Sequence, residues 1–376
     1  MNFLISPNSF KGSLGAFEVA EAIERGLKKA SKSFETRCVP IADGGDHFAD
    51  VLTKALGGRF VESEVTDPLG AKVKAKFGIT PKGVAIIEMA KASGLALLNP
   101  NELDALNASS IGTGELMKKA VDEGCKEIIL GIGGSATTDA GVGILKALGI
   151  RFFDKDGKEV WQGGEAVGKI QSVDTSGLDT RFEAVDIKIA CDVENELLGE
   201  RSAAKVFAPQ KGASQLDVQK LDESLKSFAD FTQKELGKEI GSLTHGGAAG
   251  GIAAGLYAWL GAELCNGIDL VMDQLGFDEH LPWADVVITA EGKLDFQTLD
   301  GKGPYGIAIE AKKHGILTVA FAGAIPPSEL EKFEAFDTLL AIADSPMSLE
   351  KSMKECGRLL ENAAFQVGKL LLVSRG

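Results

Sequence analysis

The sequence has few cysteines, and none is arranged for a disulfide framework or a structural zinc site. Its five cysteines are scattered through 376 residues, odd in number and without a CxxC pair, which is typical of reduced thiols in a cytoplasmic protein. The four histidines form no HxxxH motif and no cluster with cysteine, which argues against structural zinc. We therefore expect a cytoplasmic protein.

Long apolar runs and an excess of positive charge are also missing. No segment approaches the ~18 consecutive apolar residues of a membrane-spanning helix, and the first residues, MNFLISPNSFKG, lack the features of a signal peptide. The net charge of −14 disfavours nonspecific nucleic-acid binding. We expect neither a membrane nor a nucleic acid as partner, and an anionic substrate would need local Lys, Arg or metal ions.

The common nucleotide-binding motifs are not found in their usual context either. Gly301-Lys302 is followed by glycine and lacks the GxxxxGK[ST] spacing, so a P-loop is excluded. Gly301, Gly303 and Gly306 have the GxGxxG spacing, but the loop from residue 290 separates them from the preceding strand. The dinucleotide motif follows its strand directly, so this context counts against an NAD-dependent dehydrogenase.

Strand-like and helix-like segments alternate at both ends of the chain. Residues 2–6 and 36–42 read as strands on either side of a helix at 14–30, and the same rhythm returns after residue 284. Residues 59–89 instead read as three strands separated by turns. This pattern indicates an antiparallel meander that begins near Thr66, where we place a domain boundary.

These patterns predict an α/β fold with two α/β domains. One is a Rossmann- or flavodoxin-like parallel sheet built from both chain ends, and the other is a mixed-sheet domain inserted between them. The predicted bounds are 1–65 with 285–376 for the first and 66–284 for the second.

The segment 131–143, GIGGSATTDAGVG, directly follows an apolar strand. Glycines let the backbone turn sharply and approach a ligand, and the N–H groups at such a turn and helix start suit phosphate. A capped strand-to-helix connection is the alternative for this segment taken alone. The candidate ligand-binding residues in it are Gly133, Gly134, Ser135, Thr137 and Asp139.

Four further loops, 7–13, 42–46, 108–115 and 290–304, combine glycine with Ser, Thr, Lys or Asp. Because ligands bind at the carboxyl ends of strands in open α/β sheets, five such loops predict one shared pocket and favour a phosphate-handling enzyme. The candidates that these loops add are Lys11, Ser13, Asp43, Ser109, Thr113, Glu291, Asp295 and Lys302.

Asp192 follows the strand-like IKIAC and precedes Arg201 and Lys211. An acid at a strand end with basic residues close in sequence suits proton transfer or the holding of a metal ion beside anions, and an Asx-turn is the alternative. For Lys11 the alternative is a solvated surface lysine, and for Asp43 it is a helix cap.

Two other features of the sequence each have two possible explanations. Glu291 and Asp295 lie near lysines in sequence, so a surface ion-pair network competes with a metal or catalytic role. The glycine-dense segment 245–251 leads into an apolar helix, where close helix packing and ligand approach are about equally good explanations.

A series of segments, spread almost from end to end and in the expected order, resembles the type-1 bacterial glycerate kinase family. The resemblance implies two α/β domains, one of them built from both chain ends. It also implies ATP- and Mg²⁺-dependent phosphorylation of D-glycerate, at the 2-hydroxyl as in a glycerate 2-kinase. The segments include PNSFKGSL (7–14), ADGGD (42–46), IGGSATTDAGVG (132–143), CDVENELLG (191–199), FAPQKGA (207–213) and EGKLDFQT (291–298).

The sequence departs from the family pattern at positions that bear on the substrate pocket. Asp46 stands where glutamate is usual, His47 replaces a glycine, and Asn8 replaces a common aspartate.

With this resemblance, each candidate residue has a predicted role. Asp192, and after it Asp43, would orient or deprotonate the attacking hydroxyl. The amides of the glycine loops, with Ser135 and Thr137, would hold ATP phosphates or glycerate. Lys11, Arg201, Lys211 and Lys302 would neutralise charge, Lys11 as part of the catalytic set, and Asp43, Asp295 and Glu291 would hold magnesium.

Alternatives to this function are a kinase that gives 3-phosphoglycerate, a kinase for another small hydroxy acid, or a noncatalytic ligand-binding protein of the same fold. The predicted partner is the small-molecule substrate, D-glycerate. A homo-oligomer is left open.

Overall fold

The computed structural model describes residues 1–42, 45, 47–161, 163–294, 298, 303–325 and 330–373. The chain divides into two compact units. The terminal unit contains Met1–Asp43 and Ile268–Gly376, and the central unit contains Gly44–Gly267. One is built on a parallel sheet and the other on a mixed sheet, so the predicted fold class is confirmed.

A parallel sheet with the strand order β13-β12-β11-β1-β2 forms the middle of the terminal unit. Strand numbers increase in opposite directions from the central pair, β1 and β11, which makes this pair the topological switch point. In open α/β sheets, ligands bind outside the carboxyl ends of the strands at that point. The strands are β1 (Asn2–Ile5), β2 (Glu35–Cys38), β11 (Val286–Lys293), β12 (Leu317–Ala324) and β13 (Thr338–Ala341).

Helices cover this sheet because their apolar residues recur on one face. In α1 (Ala16–Ala30), Val19, Ile23 and Leu27 are buried at helical spacing and pack in one cluster with Phe3 of β1. The other helices of the unit are α10 (Gly267–Leu275), α11 (Phe277–His280), α12 (Gly303–Lys313), α13 (Leu349–Lys354) and α14 (Cys356–Val373).

The central unit is built on a sheet with the strand order β10-β9-β6-β5-β4-β3. The pairs β3–β4 and β4–β5 are antiparallel, whereas β5, β6, β9 and β10 run parallel. These strands are β3 (Arg59–Thr66), β4 (Lys72–Ile79), β5 (Val84–Glu88), β6 (Glu127–Gly131), β9 (Asp186–Cys191) and β10 (Glu263–Asn266). A separate antiparallel pair consists of β7 (Arg151–Phe153) and β8 (Ser172–Asp174).

The register of the parallel strands places their carboxyl ends side by side. Glu88 of β5 lies opposite Gly131 of β6, which lies opposite Ala190 of β9. The loops that follow these strands therefore leave the sheet at the same edge. The helices of the unit are α2 (Phe48–Ala55), α3 (Ala90–Ser93), α4 (Ile111–Asp122), α5 (Val142–Ala147), α6 (Gly164–Val167), α7 (Ala203–Phe207), α8 (Gln215–Leu236) and α9 (Ala248–Leu260).

The two units divide at other positions than the predicted 65/66 and 284/285. Strand β3 already belongs to the meander, because it pairs along its whole length with β4, from Arg59↔Ile79 to Thr66↔Lys72. Residues 268–284 belong with the terminal unit, where Asn2 donates a hydrogen bond to the carbonyl oxygen of Trp283 at 2.9 Å. The first change of unit follows Asp43, before α2, where the alternation of strands and helices in the sequence continues.

The C-terminal segment forms two helices, because α13 ends before Glu355 and α14 begins at Cys356. Across the described part of the chain, no helix is long and apolar enough to cross a membrane.

Gly26 allows α1 and α14 to pack closely, which gives a test of this interface. A Cβ at Gly26 would lie 2.2 Å from the carbonyl oxygen of Glu361. Gly26→Ala should therefore lower the free energy of unfolding by about 1–3 kcal/mol, although alanine normally favours a helix. The measurement is urea unfolding.

The matched control for this test is Gly357→Ala in α14, where the nearest atom to an added Cβ is Leu14 Cδ1 at 3.7 Å. This variant should be as stable as the wild type or more stable by up to about 1 kcal/mol. Equal stability of the two variants would contradict the close approach of the helices.

Candidate active site

A cavity of about 140 Å³ lies beyond the carboxyl ends of β6 and β9, within the central unit. Gly133, Gly134 and Ser135 reach its wall from the loop after β6, and Asp192 reaches it directly after β9. Lys211 comes from the 3₁₀ turn after α7. The structure thus brings together five candidates from three segments that are far apart in the sequence.

Lys211 is the buried cation of this cavity. Its side chain is 1% exposed, and its Nζ donates to Ser135 Oγ at 2.9 Å and to the carbonyl oxygen of Thr137. Within the described residues it has no carboxylate at ion-pair distance. Burial lowers the pKa of Lys211 to about 7, while the negative charge of Asp139 opposes this shift.

The loop after β6 presents backbone donors to the cavity. Its conformation is held by two hydrogen bonds, from Leu95 N to Gly134 O and from Ala136 N to Ser93 O, both of 2.9 Å. Gly134 has a φ of 70°, which favours glycine. The amides of Gly133, Gly134 and Ser135 donate to no protein oxygen among the described residues, so they suit an anionic ligand.

Asp139 is buried, and its carboxylate is bound by hydrogen-bond donors of the protein itself. Its carboxylate accepts hydrogen bonds from the amide and hydroxyl of Ser110, both at 2.8 Å, and from the amides of Gly141 and Gly143, both at 3.2 Å. Burial raises the pKa of Asp139, and these hydrogen bonds oppose the rise. Asp139 is not on the cavity wall, so it positions the loop instead of contacting a ligand there as predicted.

Three predicted hydroxyl residues are also buried away from the cavity wall. Thr113 Oγ1 donates to Ser93 Oγ at 2.8 Å, and Ser109 Oγ accepts from the amide of Ile111 at 3.3 Å. Thr137 contributes its carbonyl oxygen to Lys211, while its Oγ1 is buried without a hydrogen-bond partner among the residues that the structure describes.

Arg201 lies outside this arrangement, although it is close to Asp192 in the sequence. Its side chain is exposed, its backbone carbonyl accepts from Asn195 Nδ2 at 2.9 Å, and it does not line the cavity. Sequence proximity was therefore a poor guide for this residue.

The glycine-dense segment at the start of α9 packs closely on the loop after β6, and its neighbouring alanines contribute to the cavity wall. A Cβ at Gly250 would lie 2.3 Å from the carbonyl oxygen of Thr137, so the helix start packs closely on the loop after β6. Ala248 and Ala249 also line the cavity, and Ala249 adopts a left-handed φ of 54°.

Sequence reasoning missed several residues of this region. Phe207 and Gln210 line the cavity, but they were noted only as part of the FAPQKGA resemblance. Ala249 carries no signal in the sequence, because its chemistry is unremarkable and only its backbone conformation is unusual. Ser110 was overlooked beside Ser109, although it is the residue that binds Asp139.

Glu88 is another missed carboxylate, at the end of β5. It is 2% exposed, its Oε2 accepts from the amide of Ala49 at 3.3 Å, and Lys91 Nζ lies 3.2 Å from its Oε1. Burial raises the pKa of Glu88, and Lys91 opposes this effect. The carboxylate anchors the start of α2 to the sheet.

In the terminal unit, other candidates meet at the topological switch point. Asn8 N donates to the carbonyl oxygen of Ala290 at 2.9 Å, and a Cβ at Gly292 would lie 3.4 Å from the amide nitrogen of Lys11. The exposed Lys11 and the half-buried Glu291 are therefore on adjacent strand ends. Glu291 Oε2 accepts from Thr298 Oγ1 at 3.5 Å.

The remaining candidates divide into two groups. Ser13 packs within the terminal unit, where its hydroxyl donates to the carbonyl oxygen of Met353. Asp43, Asp295 and Lys302 lie outside the described residues, so their predicted roles stay predictions.

The buried amine of Lys211 predicts a pH-dependent stability. Its pKa in the folded protein, about 7, is below that of an exposed lysine, about 10.4. Between these values the unfolded chain binds the extra proton, so raising the pH stabilises the folded wild type. The stability of wild type relative to Lys211→Met should rise by roughly 2 kcal/mol from pH 7.5 to 9, as measured by urea unfolding.

Lys205→Met, which changes an exposed lysine of α7, is the control and should retain the wild-type profile over this range. Parallel profiles for wild type and Lys211→Met would show that the buried amine does not titrate there.

Comparisons with known proteins agree on one family. The profile of the glycerate kinase family matches residues 3–372. Glycerate kinase from Bacillus subtilis (strain 168) is 40% identical, covering 100% of this chain and 99% of that protein. Glycerate 2-kinase from Escherichia coli (strain K12) is 42% identical over 86% of each protein.

The fold agrees with a solved relative. A crystal structure of a protein from Salmonella typhimurium LT2, assigned as glycerate kinase 2, has a TM-score of 0.91 and 40% identity, covering 100% of this chain and 99% of that chain. The sequence match, the fold and the relatives together show that this chain is a kinase of the glycerate kinase family.

Proposed function

We propose that this protein transfers a phosphoryl group from ATP to the 2-hydroxyl of D-glycerate, with Mg²⁺, to give 2-phosphoglycerate. The observation that carries the proposal is the cavity of the central unit, where Asp192 and the cation of Lys211 share a wall with the amides of Gly133 and Gly134. Relatives named glycerate kinase support the substrate, and one named glycerate 2-kinase supports the position of transfer.

Asp192 is the proposed acceptor of the hydroxyl proton. It is half-buried and lies on the cavity wall, where a carboxylate can orient a substrate hydroxyl and accept its proton as transfer proceeds. Phosphoryl transfer depends mainly on positioning and charge neutralisation. The opposite charges of Asp192 and Lys211 therefore supply polar ends for a small hydroxy acid.

The switch point of the terminal unit supports the proposed handling of the nucleotide. Ligands bind outside the carboxyl ends of the strands at such a point, and Lys11 lies there beside Gly292. In the proposal, the positive charges of Lys11 and Lys302 attract the triphosphate.

The proposed magnesium ligands are Glu291, Asp43 and Asp295. Carboxylate oxygens are the donors that Mg²⁺ prefers, and Glu291 is a half-buried carboxylate at the carboxyl end of β11, which fits this role. A bound Mg²⁺ would neutralise phosphate charge.

The substrate is tested by incubating the protein with Mg-ATP and a panel of small hydroxy acids. D-glycerate should release ADP fastest, and phosphorus NMR should identify 2-phosphoglycerate. A 3-phosphoglycerate signal would overturn the position of transfer, and preference for another acid would overturn the substrate. Ligand binding without ADP from any acid would indicate a noncatalytic protein.

The role of Asp192 is tested by Asp192→Asn. The amide keeps the size of the side chain but cannot accept the proton, so kcat should fall at least ~10²-fold while the melting temperature stays unchanged. Asp186→Asn, at the exposed amino end of the same strand β9, is the matched control and should retain wild-type kcat. Near-normal turnover of Asp192→Asn would remove the assignment.

A further inference from the structure

We infer that Lys211 is the counter-ion of the substrate's carboxylate, so that the acid and a proton bind to the central-unit cavity together. This inference rests on the proposed function and deepens it. Lys211 would then be the group by which the protein distinguishes an acid from an uncharged alcohol.

The first support is the incomplete set of partners around Lys211. An ammonium group has three N–H donors, and the described residues supply two acceptors, a neutral hydroxyl and a backbone carbonyl. A buried charge without an opposite charge is unfavourable. An anion in the cavity would use the third donor and supply the missing charge.

The second support is the cavity itself. Its volume of about 140 Å³ is below the roughly 300–1,000 Å³ of pockets that hold drug-sized ligands, so it favours a small acid over a whole nucleotide. The amides of Gly133, Gly134 and Ser135, which have no protein acceptors in the described chain, offer neutral donors to a second oxygen of the same carboxylate.

The third support is the charge distribution on the wall. Asp192 repels a carboxylate and Lys211 attracts it, so a hydroxy acid would bind with its carboxylate at Lys211 and its hydroxyl towards Asp192. This orientation agrees with the proton-acceptor role proposed for Asp192.

The proton linkage follows from burial. With a pKa of about 7, roughly half of the unliganded molecules carry a neutral amine at pH 7, and a bound carboxylate favours the charged form. The charged groups that face Lys211 in the described chain are Asp139, whose carboxylate accepts four hydrogen bonds from other donors, and Asp192 on the same wall. Neither of them lies at ion-pair distance from Lys211. His245, whose Nδ1 lies 2.7 Å from the carbonyl oxygen of Val193 on the same wall, is the nearby imidazole.

The test is calorimetric titration of the full-length protein with D-glycerate, with and without a nonhydrolysable ATP analogue, in buffers of different ionisation enthalpy. Binding at pH 7 should take up about half a proton. Because only the charged form binds the carboxylate well, affinity should fall roughly 30-fold from pH 6 to 8.5. Glycerol, which lacks the carboxylate, should show no proton uptake.

A second readout uses the wild type and does not depend on the folding of a variant. The carbon-13 resonance of Lys211 Cε should titrate near pH 7, and D-glycerate should move this titration to higher pH.

Two variants test the calorimetric result. Lys211→Met should abolish proton uptake, and His245→Gln should retain it.

The outcomes separate this inference from the proposed function. Glycerate binding without proton uptake would overturn the role of Lys211, while ADP formation with glycerate would still support the kinase. Proton uptake on adding the ATP analogue alone would reassign the amine to a phosphate. A failure of glycerate to bind under any of these conditions would overturn both proposals.

Discussion

The hydrogen bonds of Asp139 are the interaction on which the candidate site depends. A buried carboxylate is tolerated only when donors surround it, and here Ser110 supplies two, while the amides of Gly141 and Gly143 supply the others. These contacts join the starts of α4 and α5 to the loop after β6. The loop therefore has one conformation in which Gly133, Gly134 and Ser135 reach the cavity.

Close backbone packing adds a second constraint to the same loop. The start of α9 approaches so closely that Gly250 has no room for a side chain against Thr137, and Gly255 has none against the carbonyl oxygen of Ala140. Because the glycines bring α9 near, Ala248 and Ala249 complete the cavity wall. The glycine-dense segment thus shapes the site through packing.

The electrostatics of the cavity differ from those of the whole chain. A net charge of −14 opposes the approach of anions in general. Lys211 provides positive charge at one enclosed point, where low dielectric strengthens its attraction for a carboxylate or phosphate. The same burial raises the free energy of the charged amine when no ligand is bound. The pKa of Lys211 is therefore low.

Periodicity and turn residues were sufficient for the α/β class, for the discontinuous parallel sheet and for the candidate loops. Apolar runs identify buried strands, and the candidate residues follow the carboxyl ends of such strands. The limits of the units were harder to predict, since the first unit ends at Asp43, before α2, and the alternation of strands and helices continues across that point. Only the pairing of β3 with β4 shows that β3 belongs to the central sheet.

The sequence by itself determined which residue types follow each strand, and Gly133, Gly134, Ser135 and Asp192 were identified in this way. Lys211 was identified by its nearness to Asp192 in the sequence. Only the tertiary structure decided that these five share one cavity, that Asp139 points into the protein's own donors, and that Arg201 lies outside. The physical reason is that direction and burial of a side chain depend on contacts between segments far apart in the chain. Local sequence patterns do not predict those contacts.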